Sequence, residues 1–252
     1  MNQPSLNLPN RDRLELIAHR GFSAIAPENT LAAFTEAIAA GADSIECDVQ
    51  LSADGVPVIF HNPTLEKNAG VAEKVTDKTL AELKTLDVGS WFDDRFCGLT
   101  IPTLAETLDA IGKLPKYIYL DVKPHCHWSA QAIEKLVAML HRQGWTQRCI
   151  VSSFNYDFIR QIRQRSPQIS IGFIVATATD YQQQLDSADR DGNAIIISAS
   201  DIIFNHPDFI ATSRDRGIDT VAWTIDRPEI IQQLFDLGIT RIVTNRCIVP
   251  NA

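Results

Sequence analysis

The chain has no excess of positive charge. Its 23 Lys and Arg face 31 Asp and Glu, for a formal net charge of −8. That balance argues against a nucleic-acid partner, which a basic patch would serve, while leaving room for a local positive pocket. Cysteine is scarce, with five residues at 47, 97, 126, 149 and 247. The number is odd, the positions are scattered, and no Cys-x-x-Cys pair occurs, which fits a reducing compartment better than a disulfide framework. No uninterrupted apolar run approaches the roughly 20 residues of a transmembrane helix, so no stable membrane insertion is expected. Met1 to Asp12 is polar and lacks the apolar stretch of a secretory signal. Together these point to the cytoplasm. No Pro/Ser-rich linker or low-complexity tract divides the chain, so residues 1–252 read as a single domain.

Hydrophobic residues make up 45% of the chain and charged residues 21%, ordinary values for a globular protein. Apolar, β-branched runs lie at 14–18, 44–50, 56–60, 117–122, 149–153, 169–175, 194–198, 219–225 and 241–244. Helix-period segments such as 30–40, 129–143, 156–164 and 228–237 separate most of them. Gly41, Gly144, Gly217 and Gly238 stand where helices should stop. Alternation of this kind predicts a parallel sheet with crossover helices. The runs 44–50 and 56–60 are too close for a parallel crossover and must be antiparallel. Asp54-Gly55 suits a two-residue type I′ turn, which would set Ala53 opposite Val56 and Asp48 opposite His61. Setting that return arm aside leaves eight helix-linked strands. The fold class is therefore α/β, a TIM (β/α)₈ barrel with a β-hairpin excursion and a small insertion after the second strand. Residues 62–116 form the insertion, with helices predicted at 76–86 and 103–112 and an aromatic loop around Trp91, Phe92 and Phe96. An excursion starting at a barrel mouth is a candidate substrate cap.

Several strands end on ionisable groups. Ile-Ala runs into His19 and Arg20; Glu46 and Asp48 share one strand face two residues apart; Asp121 and Lys123 repeat that spacing. A barrel builds its site from such strand ends. Three convergent carboxylates repel unless a cation or protons intervene, and an all-oxygen set suits Mg²⁺, Ca²⁺ or Mn²⁺. Of six histidines, His141 and His206 lie in unpromising contexts, and His125-Cys126-His127 reads as a loop because no further ligand stands at a metal-site spacing. His19 and His61 end apolar strands and suit general acid–base work. Arg20 and Lys123 among the acids point to a phosphoryl group. Trp223 at a strand end is either a core residue or a flat wall for a small organic group, and Glu28, in Pro27-Glu28-Asn29-Thr30 at a helix start, is either a helix-dipole residue or an orienter of Arg20. These residues also suit a divalent-metal barrel lyase or isomerase acting on a sugar phosphate, or a binding protein descended from an enzyme.

The ordered motifs narrow this. His19-Arg20-Gly21, Pro27-Glu28-Asn29-Thr30, Glu46-Cys47-Asp48-Val49 with Asp54-Gly55, and Val58-Ile59-Phe60-His61 come first. Gly89-Ser90-Trp91-Phe92, Ile101-Pro102-Thr103-Leu104, Leu120-Asp121-Val122-Lys123, Ser153-Phe154 and Trp223-Thr224 follow. In these motifs, from His19 to Thr244, the chain resembles the glycerophosphodiester phosphodiesterase family of the soluble bacterial type. The resemblance implies a TIM barrel that hydrolyses a small-molecule glycerophosphodiester to sn-glycerol 3-phosphate and an alcohol. It implies Glu46, Asp48 and Asp121 as ligands of one divalent cation (Mg²⁺ or Ca²⁺, with Mn²⁺ a further option). It implies His19 and His61 as the acid–base pair, Arg20 and Lys123 as phosphate contacts, and Glu28 and Trp223 as residues around the pocket. Three positions depart from the family pattern. Asp121 stands where Glu is common, and Asn62 and Asn245 stand where Asp is usual. Loss of a charge at 62 should lower the pKa of His61.

Overall fold

The computed structural model describes residues 13–246; Met1 to Asp12 and Cys247 to Ala252 lie outside the described residues. Among the described residues, nine strands form one sheet: β1 (Glu15–His19), β2 (Ser44–Leu51), β3 (Pro57–Ile59), β4 (Ile118–Val122), β5 (Cys149–Ser153), β6 (Ser170–Val175), β7 (Ala194–Ala199), β8 (Thr220–Trp223) and β9 (Arg241–Thr244). Eight of them are parallel in the cyclic order β1-β2-β4-β5-β6-β7-β8-β9, and β1 closes the barrel by pairing with both β2 and β9. The helices are α1 (Leu31–Ala39), α2 (Glu66–Ala69), α3 (Leu80–Leu83), α4 (Leu104–Ala110), α5 (Ala130–Arg142), α6 (Tyr156–Arg165), α7 (Ala178–Asp191), α8 (Ser200–Asn205), α9 (Asp208–Asp215) and α10 (Pro228–Asp236). The eight-strand barrel predicted from the sequence is the fold observed.

Strand periodicity decides what faces where. Side chains alternate between faces, so Ile45, Cys47 and Val49 of β2 join Leu120 and Val122 of β4 in the layer between strands and helices. The opposite phase fills the barrel with Ile17, Tyr119, Ile150, Ile174, Ile195, Ile197, Val221 and Val243. Each large buried aliphatic there contributes about 1.5–3 kcal/mol. Gly172 belongs to this inner layer, where a Cβ would stand 2.8 Å from Ile197 Cδ1 and 2.9 Å from Ser152 Cβ. The same inward phase carries the polar groups at the two mouths: Glu15 and His19 on β1, Ser44, Glu46 and Asp48 on β2, and Asp121 on β4.

The hairpin departs from its predicted register. Val49 pairs with Ile59, Gln50 with Val58 and Leu51 with Pro57, so Asp48 faces Phe60, whose N–H donates to the Asp48 carbonyl (3.0 Å). The loop holds three residues rather than two. Gly55 takes φ +78° and donates to the Ser52 carbonyl (2.9 Å), the left-handed closing position of a three-residue hairpin. This slip alone would turn His61 outward. It does not, because β3 ends at Ile59 and the chain bends before His61, which lines the cavity described below.

The helix predicted at 76–86 is also shorter than the pattern suggested. A 3₁₀ turn at Val75–Asp77 is followed by an extended Lys78, then α3. Thr79 and Glu82 form a reciprocal capping box, which restarts the chain at 79 instead of continuing the first turn. The excursion has its own apolar cluster, with Leu65, Val75, Leu83, Val88 and Ile101 packed against Val58 and Phe60. By contrast Leu104, Leu108 and Ile111 of the following segment join the main core, so α4 is the crossover helix leading to β4.

Candidate active site

At the C-terminal ends of the strands lies a cavity of about 230 Å³. Of the residues singled out in the sequence, His19, Arg20, Glu46, Asp48, His61, Asp121, Lys123 and Trp223 all line it. Glu28 does not. It stands behind Arg20, with Oε2 3.2 Å from Nη1, and also meets Lys67 at 3.4 Å. No residue of 62–116 lines the cavity; the expected cap instead stands beside it, with Asn62 on the His61 ring, Lys67 on Glu28 and Arg95 donating to the Ile25 carbonyl (2.9 Å).

The turn after β1 is shaped for this task. Arg20 adopts φ +56° and Gly21 φ +81°. A Cβ at Gly21 would fall 2.6 Å from the Ala33 carbonyl carbon, so the turn presses on α1 as only glycine permits. The Arg20 N–H donates to Glu46 Oε2 (3.0 Å), while its Nε lies 3.2 Å from Asp48 Oδ2. Asn29, at φ +60°, donates from Nδ2 to Asp48 Oδ2 (2.6 Å) and accepts from the Asp48 N–H (3.2 Å). Lys123 Nζ bridges Asp48 Oδ1 (2.5 Å) and Asp121 Oδ2 (2.6 Å).

Three buried carboxylates thus face two cations. One ligand oxygen from each of Glu46, Asp48 and Asp121 can be chosen with all three within 4.8 Å of one another. Burial first, then Asp48 and Asp121, pushes Glu46 well above the usual carboxylate range. Burial, reinforced by Asp48 and opposed by Lys123, pushes Asp121 up to about 6. Asp48 is buried too, but Lys123, Arg20 and His61 outweigh that and hold it below its ordinary value. Asp121 Oδ1 is buried without any hydrogen-bond partner. An orphaned hard oxygen beside two further buried carboxylates is what a divalent cation would satisfy, so the donor set fits one.

Both histidines are held by side-chain amides. His19 Nδ1 lies 2.6 Å from Asn245 Oδ1, with Nε2 3.9 Å from Glu46 Oε2. His61 Nδ1 lies 2.9 Å from Asn62 Oδ1. Burial, aided by Arg20, lowers the pKa of His19 against opposing pulls from Asn245 and Asp48. Burial likewise lowers that of His61, with Asp48 acting against it. The positions of the two departures at 62 and 245 thus coincide with the Nδ1 partners of the two rings.

Sequence reasoning missed Gln50 and Asp226. Gln50 is fully buried, and its Nε2 donates to the carbonyls of Phe60 (2.7 Å) and Asn62 (2.8 Å), on either side of His61. Its Oε1 accepts from His125 Nε2 (3.0 Å), the role of the loop histidine. Gln50 shares the inward phase of Glu46 and Asp48, a signal that period two could have supplied. Phe154, quoted only as part of a motif, stands edge-on to Trp223 with ring centroids 6.4 Å apart. His141 and His206 lie elsewhere, on Thr146 and Ser166 and against Phe209 respectively. Among the described residues, no helix is long and apolar enough to cross a membrane.

Known proteins resemble this chain along nearly its whole length. A sequence model of the Glycerophosphoryl diester phosphodiesterase family matches residues 19–249. A glycerophosphodiester phosphodiesterase of Caldanaerobacter subterraneus subsp. tengcongensis is 33% identical over 234 residues, covering 91% of this chain and 93% of that protein. One from Bacillus subtilis is 28% identical over 260 residues, covering 95% and 86%. Among solved structures, an Oleispira antarctica phosphodiesterase in complex with the product sn-glycerol-3-phosphate superposes with a TM-score of 0.83 at 31% identity, covering 94% of this chain and 95% of that one. With the barrel, the motif order and the full-length matches in agreement, the chain belongs to the glycerophosphodiester phosphodiesterase family of enzymes.

Proposed function

We propose that the protein hydrolyses glycerophosphodiesters to sn-glycerol 3-phosphate and an alcohol, with His19 and His61 exchanging the protons. The observation that carries this reading is the convergence of two histidines, three carboxylates and two cations on one cavity at the barrel mouth. The product bound to the Oleispira antarctica relative supports the same substrate class.

Glu46, Asp48 and Asp121 would hold one divalent cation, Mg²⁺, Ca²⁺ or Mn²⁺. When bound, such an ion acidifies a hydroxyl or water and offsets charge on a phosphoryl oxygen. One histidine takes a proton from the nucleophile and the other returns one to the leaving alkoxide. Arg20 and Lys123 meet the non-bridging oxygens, where charge-assisted hydrogen bonds are strongest. Glu28 holds the Arg20 guanidinium from behind and so orients it. Trp223 and Phe154 give the organic part of the substrate an apolar wall. The same reading treats the chain as one barrel domain with the excursion ahead of α4 flanking the mouth, an arrangement that Lys67 supports by touching both Glu28 and the Trp91 ring. It also places the protein in the cytoplasm, in keeping with free thiols at Cys47, Cys97, Cys126 and Cys149.

The test is release of sn-glycerol 3-phosphate from glycerophosphocholine and glycerophosphoethanolamine with Mg²⁺, Ca²⁺, Mn²⁺ or EDTA. Metal-dependent release is expected, reduced about 10²- to 10⁴-fold in His19→Ala and in His61→Ala with thermal unfolding unchanged. Full activity in either variant rejects the histidine assignment. Stabilisation by substrate without turnover under any metal would make the protein a binder rather than a catalyst.

A further inference from the structure

Behind His19 stands a chain of groups that the mechanism above does not use. Asp226 lies in the loop between β8 and α10. Its Oδ1 accepts from the Asn245 N–H (2.8 Å) and from Thr244 Oγ1 (3.1 Å). Its Oδ2 accepts from Asn245 Nδ2 (2.7 Å). A carboxylate only accepts, so the NH₂ end of Asn245 must face Asp226 and its Oδ1 must face the other way. That oxygen takes Ser23 Oγ–H (3.0 Å) and meets His19 Nδ1 at 2.6 Å. An amide oxygen also only accepts, so Nδ1 must carry a proton. The lone pair of the neutral ring is left on Nε2, the nitrogen that points towards Glu46.

We propose that Asp226 is a positioning residue which, through Asn245, holds His19 as its Nδ1–H tautomer, so that Nε2 is the nitrogen that exchanges protons in the cavity. This deepens the acid–base reading of His19 and rests on it. The device is an orientation lock on an amide: reversing Asn245 would set its NH₂ against Nδ1 and drive the neutral ring's proton to Nε2, which takes the exchanging lone pair out of the cavity. Among the described residues the Asn62 amide on His61 has no comparable anchor, its Nδ2 meeting Asn68 Oδ1 at 3.5 Å.

Hydrogen-bond bookkeeping predicts what Asp226→Asn does. The new carboxamide must keep its oxygen on the Asn245 N–H and Thr244 hydroxyl, because turning it would orphan a backbone donor. Its NH₂ then confronts Asn245 Nδ2. Asn245 relieves the clash by flipping, presenting its NH₂ to His19 and Ser23, both of which can accept. In the swap Asp226→Asn with Asn245→Asp, the polarity of the pair is inverted. The new carboxylate at 245 accepts from the new amide at 226 and again offers an oxygen to His19 Nδ1.

The experiment is a ring-nitrogen NMR spectrum of metal-free, ¹⁵N-histidine-labelled protein at a pH where the ring is neutral, with His19→Ala identifying the His19 signals. Turnover with metal is measured in parallel. Wild type should show Nδ1–H. Asp226→Asn should show Nε2–H, with kcat reduced about 10- to 100-fold and KM little changed. The swap should restore Nδ1–H and most of kcat. A merely structural role would move the melting temperature but neither the tautomer nor its restoration. An Nδ1–H ring in folded Asp226→Asn, or Nε2–H in the folded swap, overturns the proposal. If wild type releases no product, the phosphodiesterase reading fails while the tautomer result still stands or falls by itself.

Discussion

The two mouths of the barrel both bury charge, and they balance it differently. At the N-terminal mouth, Glu15 Oε1 accepts from Ser44 Oγ (2.6 Å) and Tyr119 OH (3.0 Å), and its Oε2 pairs with Arg241 Nε at 3.2 Å. Buried Glu15 meets the Arg241 guanidinium, which also reaches the exposed Asp219 (3.4 Å), and each Glu15 oxygen has a partner. At the C-terminal mouth, three carboxylates share Arg20 and Lys123, and Asp121 Oδ1 has no partner. The side chains come from the same strands in the same inward phase. Satisfied charge at one end maintains the barrel, and unsatisfied charge at the other is held ready for a ligand.

The largest expected effect comes from removing an unsatisfied group. Asp121→Asn should reduce turnover on the order of 10³-fold, yet it should not destabilise the metal-free protein. Burial and Asp48 hold the folded pKa of Asp121 at about 6, above the ordinary carboxyl value of 3.8. The folded state therefore binds this proton more tightly than the unfolded chain does. The stability this carboxyl contributes is present in full below 3.8 and is lost as pH rises through about 6. Relative to wild type, Asp121→Asn should gain stability across that window and keep the gain above it, up to about 3 kcal/mol. Denaturant unfolding of both proteins between about pH 4 and about pH 7 checks the sign. A variant that falls behind wild type as pH rises would show that Asp121 is a structural ion-pair partner.

The converse substitution belongs to the other mouth. Arg241→Met leaves Glu15 buried without its counter-charge, and breaking such a pair costs about 3–5 kcal/mol. Thermal unfolding should register that loss, while the rate per folded molecule stays at the wild-type level. If activity fell instead and stability held, the division of labour between the mouths would be wrong.

Gln50 joins the two behaviours, being a fully satisfied group that serves the unsatisfied end. Gln50→Leu leaves the Phe60 and Asn62 carbonyls and the His125 ring N–H without their partner. The expected destabilisation is about 1–3 kcal/mol, and kcat should fall more than KM rises because His61 loses its clamp. Unchanged kcat with reduced stability would reduce Gln50 to a core residue.

How much of this was readable in advance follows the reach of each rule. Strand periodicity acts residue by residue, so Glu46 and Asp48 on β2, and Asp121 with Lys123 on and just beyond β4, could be placed on one face from spacing alone. The hairpin was readable as a hairpin but not in register, because Asp54-Gly55 also fits a three-residue loop with Gly55 in the left-handed region. His61 still reached the cavity, by a bend after Ile59 that no pattern announces. The helix expected at 76–86 gave way to the Thr79–Glu82 box, a local stop-and-start stronger than its apolar spacing. Asp226 was invisible, since a loop residue that meets its partner 19 positions away has no period to reveal it.

The smallest expected effect separates the two histidines. The Nδ1 of His19 faces an amide anchored by Asp226, whereas that of His61 faces the Asn62 amide 2.9 Å away with no carboxylate behind it. Asn62→Asp puts a negative charge directly on the His61 ring. A carboxylate favours the imidazolium, so the pKa of His61, lowered by burial in the wild type, should rise, and the ring's NMR titration should report it. The maximal rate should change by less than about tenfold, because neither ring nor geometry is lost. The pH profile then assigns a role. A base works deprotonated, so if His61 is the base, the acidic limb moves to higher pH. If His61 is the acid, it works protonated and the alkaline limb moves to higher pH instead. A raised NMR titration with both limbs unmoved would remove His61 from proton transfer and leave His19 to account for it.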